Sequence, residues 1–295
     1  MPSAVMLNGT LCAPEQATIS VLDRGFLYGD SVYEVIRTYG GVPFELGRHL
    51  QRLDESARRI GMALPCDVAT IEAEVWGAHE ATRNPESYLR VVCTRGSGEI
   101  SLDPAVARDP QRIVIAQALN APPQVVYEEG VRVALVGVRR NLKAAIDPQA
   151  KTGNYLNSVL AFGEARRGGF YEAIMLDHRD LVTEGASSNV FAVFGSTLVT
   201  PPLEAGILKG VTRTVVTEVA SQGGLQVLNL PLTESALLSA DEVFITSSIR
   251  EIVPVVAIGE TEIGREPGPI YREVRRLFGA YVKTYIANHY VAPRP

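Results

Sequence analysis

Cysteine is scarce in this sequence: Cys12, Cys66 and Cys93 stand far apart and form no CxxC pair. Such spacing signals neither a zinc site nor a disulfide framework, and it suits a reducing cytoplasm. No run approaches the roughly 18 apolar residues that a bilayer span needs, and the amino terminus shows no charged segment followed by an apolar one. Membrane attachment is therefore not expected. The net charge is -5, with acidic and basic residues interspersed, which leaves no basic stripe for nucleic acid. His49, His79, His178 and His289 are scattered without ligand spacing, so no metal is expected, and none adjoins a serine and acid arrangement of the hydrolase type. The GSG near residue 97 lacks the third glycine and the following helix of a dinucleotide fingerprint. Small molecules remain as the expected partners.

The 295 residues are enough for two domains, and 46% hydrophobic with 21% charged residues is an ordinary globular balance. Asn8-Gly9 and Gly40-Gly41 are hairpin signals in a strand-rich first stretch. HLQRLDESARRIGM switches to helical spacing, with Leu50, Leu53, Ala57 and Ile60 on one stripe and Gly61 as the cap, and Asp67 caps a second helix. SYLRVVCTRG and QRIVIAQAL read as strands on either side of the polar loop GSGEISLDPAVARD. NAPPQVVYEEG, with paired prolines, reads as a linker. The expected division is a small domain over 1–119, a linker over 120–130 and a larger domain over 131–295 in which strands and helices alternate, ending in a helix over IYREVRRLFGAYVKTY.

Lysine is scarcer than the 28 basic residues suggest: only Lys143, Lys151, Lys209 and Lys283 are lysines. An amine can form an imine and lose its proton when desolvated, which a guanidinium cannot do. Lys151, in AKTGNYLNSVL, follows a loop and precedes an apolar helix, a place from which a side chain can enter a cleft. Glu184 lies in TEGASSNVF, read as a Gly- and Ser-rich turn between two apolar strands. Gly210 and Thr212 open a helix whose unpaired amides attract an anion, although an ordinary N-cap has the same pattern. Thr246, Ser247 and Ser248 follow a strand as a second group of short donors, and Arg52 lies on a helix.

Taken in order, DRGFLYGDSVYEVIRTYGG, HLQRL, KTGNYLNSVLAFGEARRGG, EAIMLD, VTEGASSNVF, TPPLEAGILKGVTR and DEVFITSS resemble the class IV (fold type IV) enzymes that depend on pyridoxal 5'-phosphate (PLP). The family comprises branched-chain aminotransferases, D-amino acid aminotransferases, (R)-selective amine transaminases and aminodeoxychorismate lyases. The resemblance spans nearly the whole chain and implies an α+β fold, a small N-terminal α/β domain beside a larger one with a barrel-like sheet. It implies that Lys151 is the Schiff-base lysine and proton shuttle and that Glu184 meets the pyridine nitrogen. Arg52, Val211, Thr212 and Ser248 fall at the phosphate contacts, and Tyr155 near the phenolic oxygen of the cofactor. Tyr33 falls at the substrate-facing aromatic, and either Arg139 or Arg140 is the residue that buttresses the ring. Relatives of this kind work as homodimers with shared active sites.

Marks of the branches are mixed. KTGNY is one residue shorter than the branched-chain pattern and resembles D-amino acid aminotransferases and the lyases. The D-specific arginine and histidine clamp is missing, since GSGEISLDP puts Ile100 and Leu102 at the matching places. SYLRVV resembles the branched-chain YxR strand, giving Tyr88 and Arg90, and Arg37 matches another arginine of that branch. With backbone amides after Ser248, at Ile249, these would hold the substrate carboxylate, and Val35, Ile100 and Leu102 would favour a neutral aliphatic side chain. The expected activity moves an amino group from such an amino acid to a 2-oxo acid such as 2-oxoglutarate. A D-amino acid or (R)-amine transaminase, a lyase and a PLP-binding protein without turnover remain the alternatives.

Overall fold

The computed structural model describes residues 3–289; residues 1–2 and 290–295, the outer ends of the two expected domains, lie outside it. The chain divides into two units, one taking in the chain up to Asn120, Ala150–Tyr155 and the chain from Thr284, the other Ala121–Gln149 and Leu156–Lys283.

In the first unit β1 (Ser3–Leu7) and β2 (Thr10–Cys12) turn through Asn8 and Gly9, both with positive φ, 50° and 86°. A two-residue hairpin of matching twist demands that left-handed pair. After α1 (Arg24–Tyr28), β3 (Ser31–Tyr39) and β4 (Val42–Pro43) repeat the device at Gly40 and Gly41. Helices α2 (Leu46–Arg59) and α3 (Val68–Thr82) follow, then β5 (Ser87–Thr94) and β6 (Arg112–Ala118). Asp67 caps α3 by accepting from the Thr70 amide at 2.7 Å. The six strands run β2-β1-β6-β5-β3-β4, antiparallel throughout.

Alternation of side chains along a strand sorts the residues of β3 and β5. Val32 and Ile36 of β3, with Leu89, Val91 and Cys93 of β5, pack on Leu50, Leu53 and Ala57 of α2 and Ile71 and Val75 of α3. Tyr33, Val35 and Arg37 therefore share the opposite face with their cross-strand partners Val92, Arg90 and Tyr88.

The second unit comprises α4 (Val125–Glu129), β7 (Val131–Leu135), α5 (Leu156–Arg167), β8 (Glu172–Leu176), β9 (Val182–Gly185), β10 (Asn189–Phe194) and β11 (Thr197–Thr200). It continues with α6 (Val211–Gln222), β12 (Gln226–Asn229), α7 (Glu234–Leu238), β13 (Glu242–Ser247), β14 (Glu251–Ile258), β15 (Thr261–Glu262) and α8 (Pro269–His289), whose residues from Thr284 group with the first unit. Its mixed sheet runs β12-β11-β10-β13-β14-β7-β8-β9, with β15 on β14. The core gathers Val133, Ile174, Val190, Ile245 and Val253 from five strands with Leu237 of α7.

Three expectations are corrected here. The supposed linker contains α4, because Tyr127 is a buried anchor that joins the core of the second unit. Glu184 stands inside strand β9 rather than in a turn, since the turn begins only after Gly185. Residues 150–155 leave the larger domain and join the first unit, where Thr152 bridges to Val32 at the start of β3. Strand β14 and the short α1 had no sequence expectation; the continuous apolar run of β14 is broken by Pro254 and does not alternate.

Candidate active site

In the first unit, the segment carrying Lys151 is fixed by its backbone. The Tyr33 amide donates to the Lys151 carbonyl at 3.0 Å, and the Lys151 amide donates to Ser56 Oγ at 3.1 Å. Lys151 Nζ then donates to the Tyr33 hydroxyl at 3.2 Å and lies 5.5 Å from the centre of the Tyr155 ring. Tyr155 meets Tyr33 edge-on at 5.8 Å, and the Arg90 guanidinium sits 4.2 Å over the Tyr33 ring. Burial, then the neighbouring Tyr155, pushes the Tyr33 phenol far up, so it stays protonated. Lys151, Tyr33, Tyr155 and Arg90 are thus brought together. Arg37 and Tyr88 are paired across the strands on the same sheet face, with the Arg37 guanidinium 4.1 Å over the Tyr39 ring.

Arg52, on α2, is nearly buried. Its Nε and Nη2 both donate to Glu34, each at 2.7 Å, and His49 Nδ1 reaches the same carboxylate at 2.6 Å. Burial alone would raise Glu34, but the charges and hydrogen bonds of Arg52 and His49 overcome it and bring the carboxyl down to about 2. His49 is pushed down by burial although Glu34 pulls the other way. A neutral imidazole donating Nδ1–H to an ionised Glu34 follows. Because a guanidinium is planar, fixing its Nε and Nη2 edge also aims the Nη1 end. Sequence reasoning passed over Glu34; its one signal was a carboxylate at a core-facing parity of an apolar strand.

In the second unit Glu184 is buried and used at both oxygens. Oε2 accepts from the Leu208 amide at 2.9 Å and from Asn189 Nδ2 at 3.2 Å, while Oε1 meets Arg140 Nη2 at 2.8 Å. The two neighbouring arginines differ in partner: Arg140 joins Glu184, whereas Arg139 turns to the exposed Asp180 at 2.6 Å. Asn189 also holds the Leu208 carbonyl at 3.0 Å, which fixes the approach to α6. That helix starts from Gly210, which offers no capping side chain, and a Cβ there would lie 2.0 Å from Asn189 Oδ1. Val211 and Thr212 are buried in its first turn. Ser248 and Ile249 occupy the turn between β13 and β14, both half-buried. The preceding Thr246 hydroxyl and Arg140 Nε are buried with no partner among the described residues.

Each unit by itself carries donors of the kind PLP needs: the first an amine beside a protonated phenol, the second a buried carboxylate of the kind that meets a ring nitrogen and an uncapped helix start of the kind that meets a phosphate. The family model of class IV aminotransferases matches residues 31–258. Similarity extends to a Methanocaldococcus jannaschii protein assigned as a branched-chain-amino-acid aminotransferase, 38% identical over 275 residues that cover 93% of this chain and 94% of the relative. A D-alanine aminotransferase of Bacillus licheniformis is 33% identical over 273 residues, 92% of this chain and 94% of the relative. Among solved structures, the branched-chain aminotransferase of Thermoproteus uzoniensis with norvaline superposes with a TM-score of 0.89 at 34% identity, covering 96% of this chain and 97% of that one. The fold is that of a fold type IV PLP enzyme, and the chemistry that goes with it is amino-group transfer. The chain belongs to the class IV aminotransferases, as a PLP-dependent transaminase acting on amino acids and 2-oxo acids.

Among the described residues no group of histidine, cysteine or acidic side chains is arranged to hold a metal ion, and no helix is long and apolar enough to cross a membrane.

Proposed function

We propose that the enzyme transfers the amino group of a neutral aliphatic, branched-chain L-amino acid to a 2-oxo acid such as 2-oxoglutarate. The observation that carries this reading is the single sheet face on which Lys151 Nζ, the Tyr33 hydroxyl and the Arg90 guanidinium converge. Bound PLP supplies the electron sink for the carbanion. Lys151 holds the cofactor covalently and moves the proton at the substrate Cα, and the protonated Tyr33 orients its amine. Glu184, paired with Arg140 and accepting from the Leu208 amide, would face the pyridine nitrogen. Arg52, Val211, Thr212 and Ser248 hold the phosphate, and Tyr155 packs beside the cofactor. Arg37, Tyr88, Arg90 and the Ile249 amide bind the substrate carboxylate.

Two further features support the substrate. The loop after β5 carries Ile100 and Leu102, 76% and 83% exposed in the single chain, where a D-specific enzyme carries charged groups. The branched-chain names of the relatives point the same way. The 33% identity to a D-alanine aminotransferase keeps D-alanine as the second reading. We place the enzyme in the cytoplasm as a homodimer. Cys12, Cys66 and Cys93 are unpaired, and α5 exposes Leu156, Val159 and Leu160 on one stripe that a second copy would cover.

A half-reaction screen tests the reading: the PLP-loaded enzyme is mixed separately with L-leucine, D-alanine, an (R)-amine and aminodeoxychorismate. Loss of the bound-cofactor absorbance is expected fastest with L-leucine. A response to D-alanine alone overturns the L preference, pyruvate from aminodeoxychorismate without amino transfer makes the enzyme a lyase, and no response to any amine leaves a cofactor-binding protein.

A further inference from the structure

Glu172, the first residue of β8, is fully buried and belongs to no part of the site described so far. Its Oε1 accepts from the Ala173 amide at 3.0 Å. Its Oε2 collects Arg250 Nη2 at 2.7 Å, Ser187 Oγ at 2.8 Å and Ser188 Oγ at 3.3 Å. Arg250 reaches the same place from the other direction. Its Nη2 also donates to the Ser187 carbonyl at 3.1 Å and Oγ at 2.8 Å, its Nε donates to Ser247 Oγ at 3.2 Å, and its guanidinium lies 5.6 Å from the centre of the Tyr171 ring.

Two turns are tied together by these bonds. One, residues 186–188, leaves β9 directly after Glu184 and Gly185; the other, residues 248–250, holds Ser248 and Ile249 between β13 and β14. The second turn leads into a left-handed, non-glycine residue at the start of β14, Glu251 at φ 57°, a conformation that persists only where its surroundings hold it. Arg250 is the adjacent residue, and a buried carboxylate with three donors is a firm anchor for it. We infer that the Glu172–Arg250 pair is a positioning clamp, setting from outside the ligand-holding groups the spacing between the Glu184 carboxylate and the Ser248–Ile249 donors. The clamp rests on the reading that Ser248 contacts the phosphate. It matters because a cofactor gripped at its ring nitrogen and at its phosphate is held well only when both grips stand at the right separation. Neither residue touches the cofactor in this assignment; each acts through a turn.

Equilibrium dialysis of the purified full chain against PLP and, separately, against pyridoxal, which lacks the phosphate, tests the clamp. Loss of an outer partner that orients a ligand-holding group costs about tenfold in affinity. Arg250→Met and Glu172→Gln are expected to weaken PLP by about tenfold and pyridoxal by less than about twofold. Arg250→Lys keeps the charge but loses the fork, and Ser187→Ala removes, at an exposed residue, the hydroxyl that donates to Glu172 and accepts from Arg250; each is expected to weaken PLP alone, by about threefold. These two milder variants carry the same comparison should the stronger ones fail to fold. Ser248→Ala is the control for the underlying reading. If it weakens PLP selectively while the clamp variants leave the PLP-to-pyridoxal ratio at its wild-type value, the clamp is overturned. If Ser248→Ala itself leaves that ratio unchanged, the Ser248 assignment falls, and the clamp with it.

Discussion

Replacing Glu34 by glutamine removes the charge from a carboxylate that is fully buried between His49 Nδ1 at 2.6 Å and the Nε and Nη2 edge of Arg52 at 2.7 Å. The shape is kept, so the loss is electrostatic. The Arg52 side chain is only 10% exposed, and a buried cation deprived of its partner costs about 3 to 5 kcal/mol. The titration of Glu34 gives an independent figure. A carboxyl at about 2 in the folded chain, against an ordinary 4.5, is favoured by about 3 kcal/mol at neutral pH. Because the folded value is the lower one, that stability is complete above about pH 4.5 and is lost as the pH falls towards 2, with about 2 kcal/mol gone by pH 3. His49 acts in the same direction: burial holds it below its ordinary 6.5, so the unfolded chain takes up its proton first on acidification. The assay is urea unfolding at fixed PLP concentration, followed by tryptophan fluorescence. The single tryptophan, Trp76, lies in α3 against the core of the first unit and reports on the unit that contains Glu34. Glu34→Gln should lower the unfolding free energy at pH 7 by about 3 kcal/mol, and the gap to the wild type should narrow between pH 4.5 and pH 3. A loss below about 1 kcal/mol with an unchanged urea dependence, or a gap that stays constant on acidification, refutes the argument.

Lys151→Ala should abolish amino transfer and the absorbance of covalently held cofactor while the circular dichroism spectrum stays that of the wild type, since its amine serves chemistry more than packing. Glu184→Gln should retain PLP yet slow the L-leucine half-reaction by about a hundredfold or more in stopped flow, because a ring that is not held protonated is a poor electron sink. Gly96→Ala should lower stability by about 2 kcal/mol in a thermal melt: φ is +100° there, and the new Cβ would lie 2.0 Å from the Arg108 carbonyl. That change strikes the base of the loop carrying Ile100 and Leu102, where Ser97 and Arg108 pair, so the KM for the amino donor should rise with it.

Local chemistry was legible from the sequence wherever a few neighbouring residues decide the outcome. Asn8-Gly9 and Gly40-Gly41 dictate their hairpins through positive φ, and Asp67 announces α3 through a side-chain oxygen that caps the next turn. The apolar stripe of α2 and the glycine before α6 are of the same kind, and the ordered set of motifs carried the family and its cofactor. Wherever a partner comes from far along the chain, only the tertiary structure decided. Nothing near Arg140 or Arg139 distinguishes them; Arg140 is the one that pairs with Glu184, because β9 brings that carboxylate to 2.8 Å from it. Tyr127 makes a helix of a stretch rich in proline because it is buried among strands that follow it by dozens of residues. Arg52 turns inward because Glu34, 18 positions earlier, waits on the core face of β3, and Arg250 finds Glu172 across 78 positions. A local pattern fixes φ, ψ and the face of an element, whereas the pairing of buried charges depends on which elements lie side by side, a property of the packed chain as a whole.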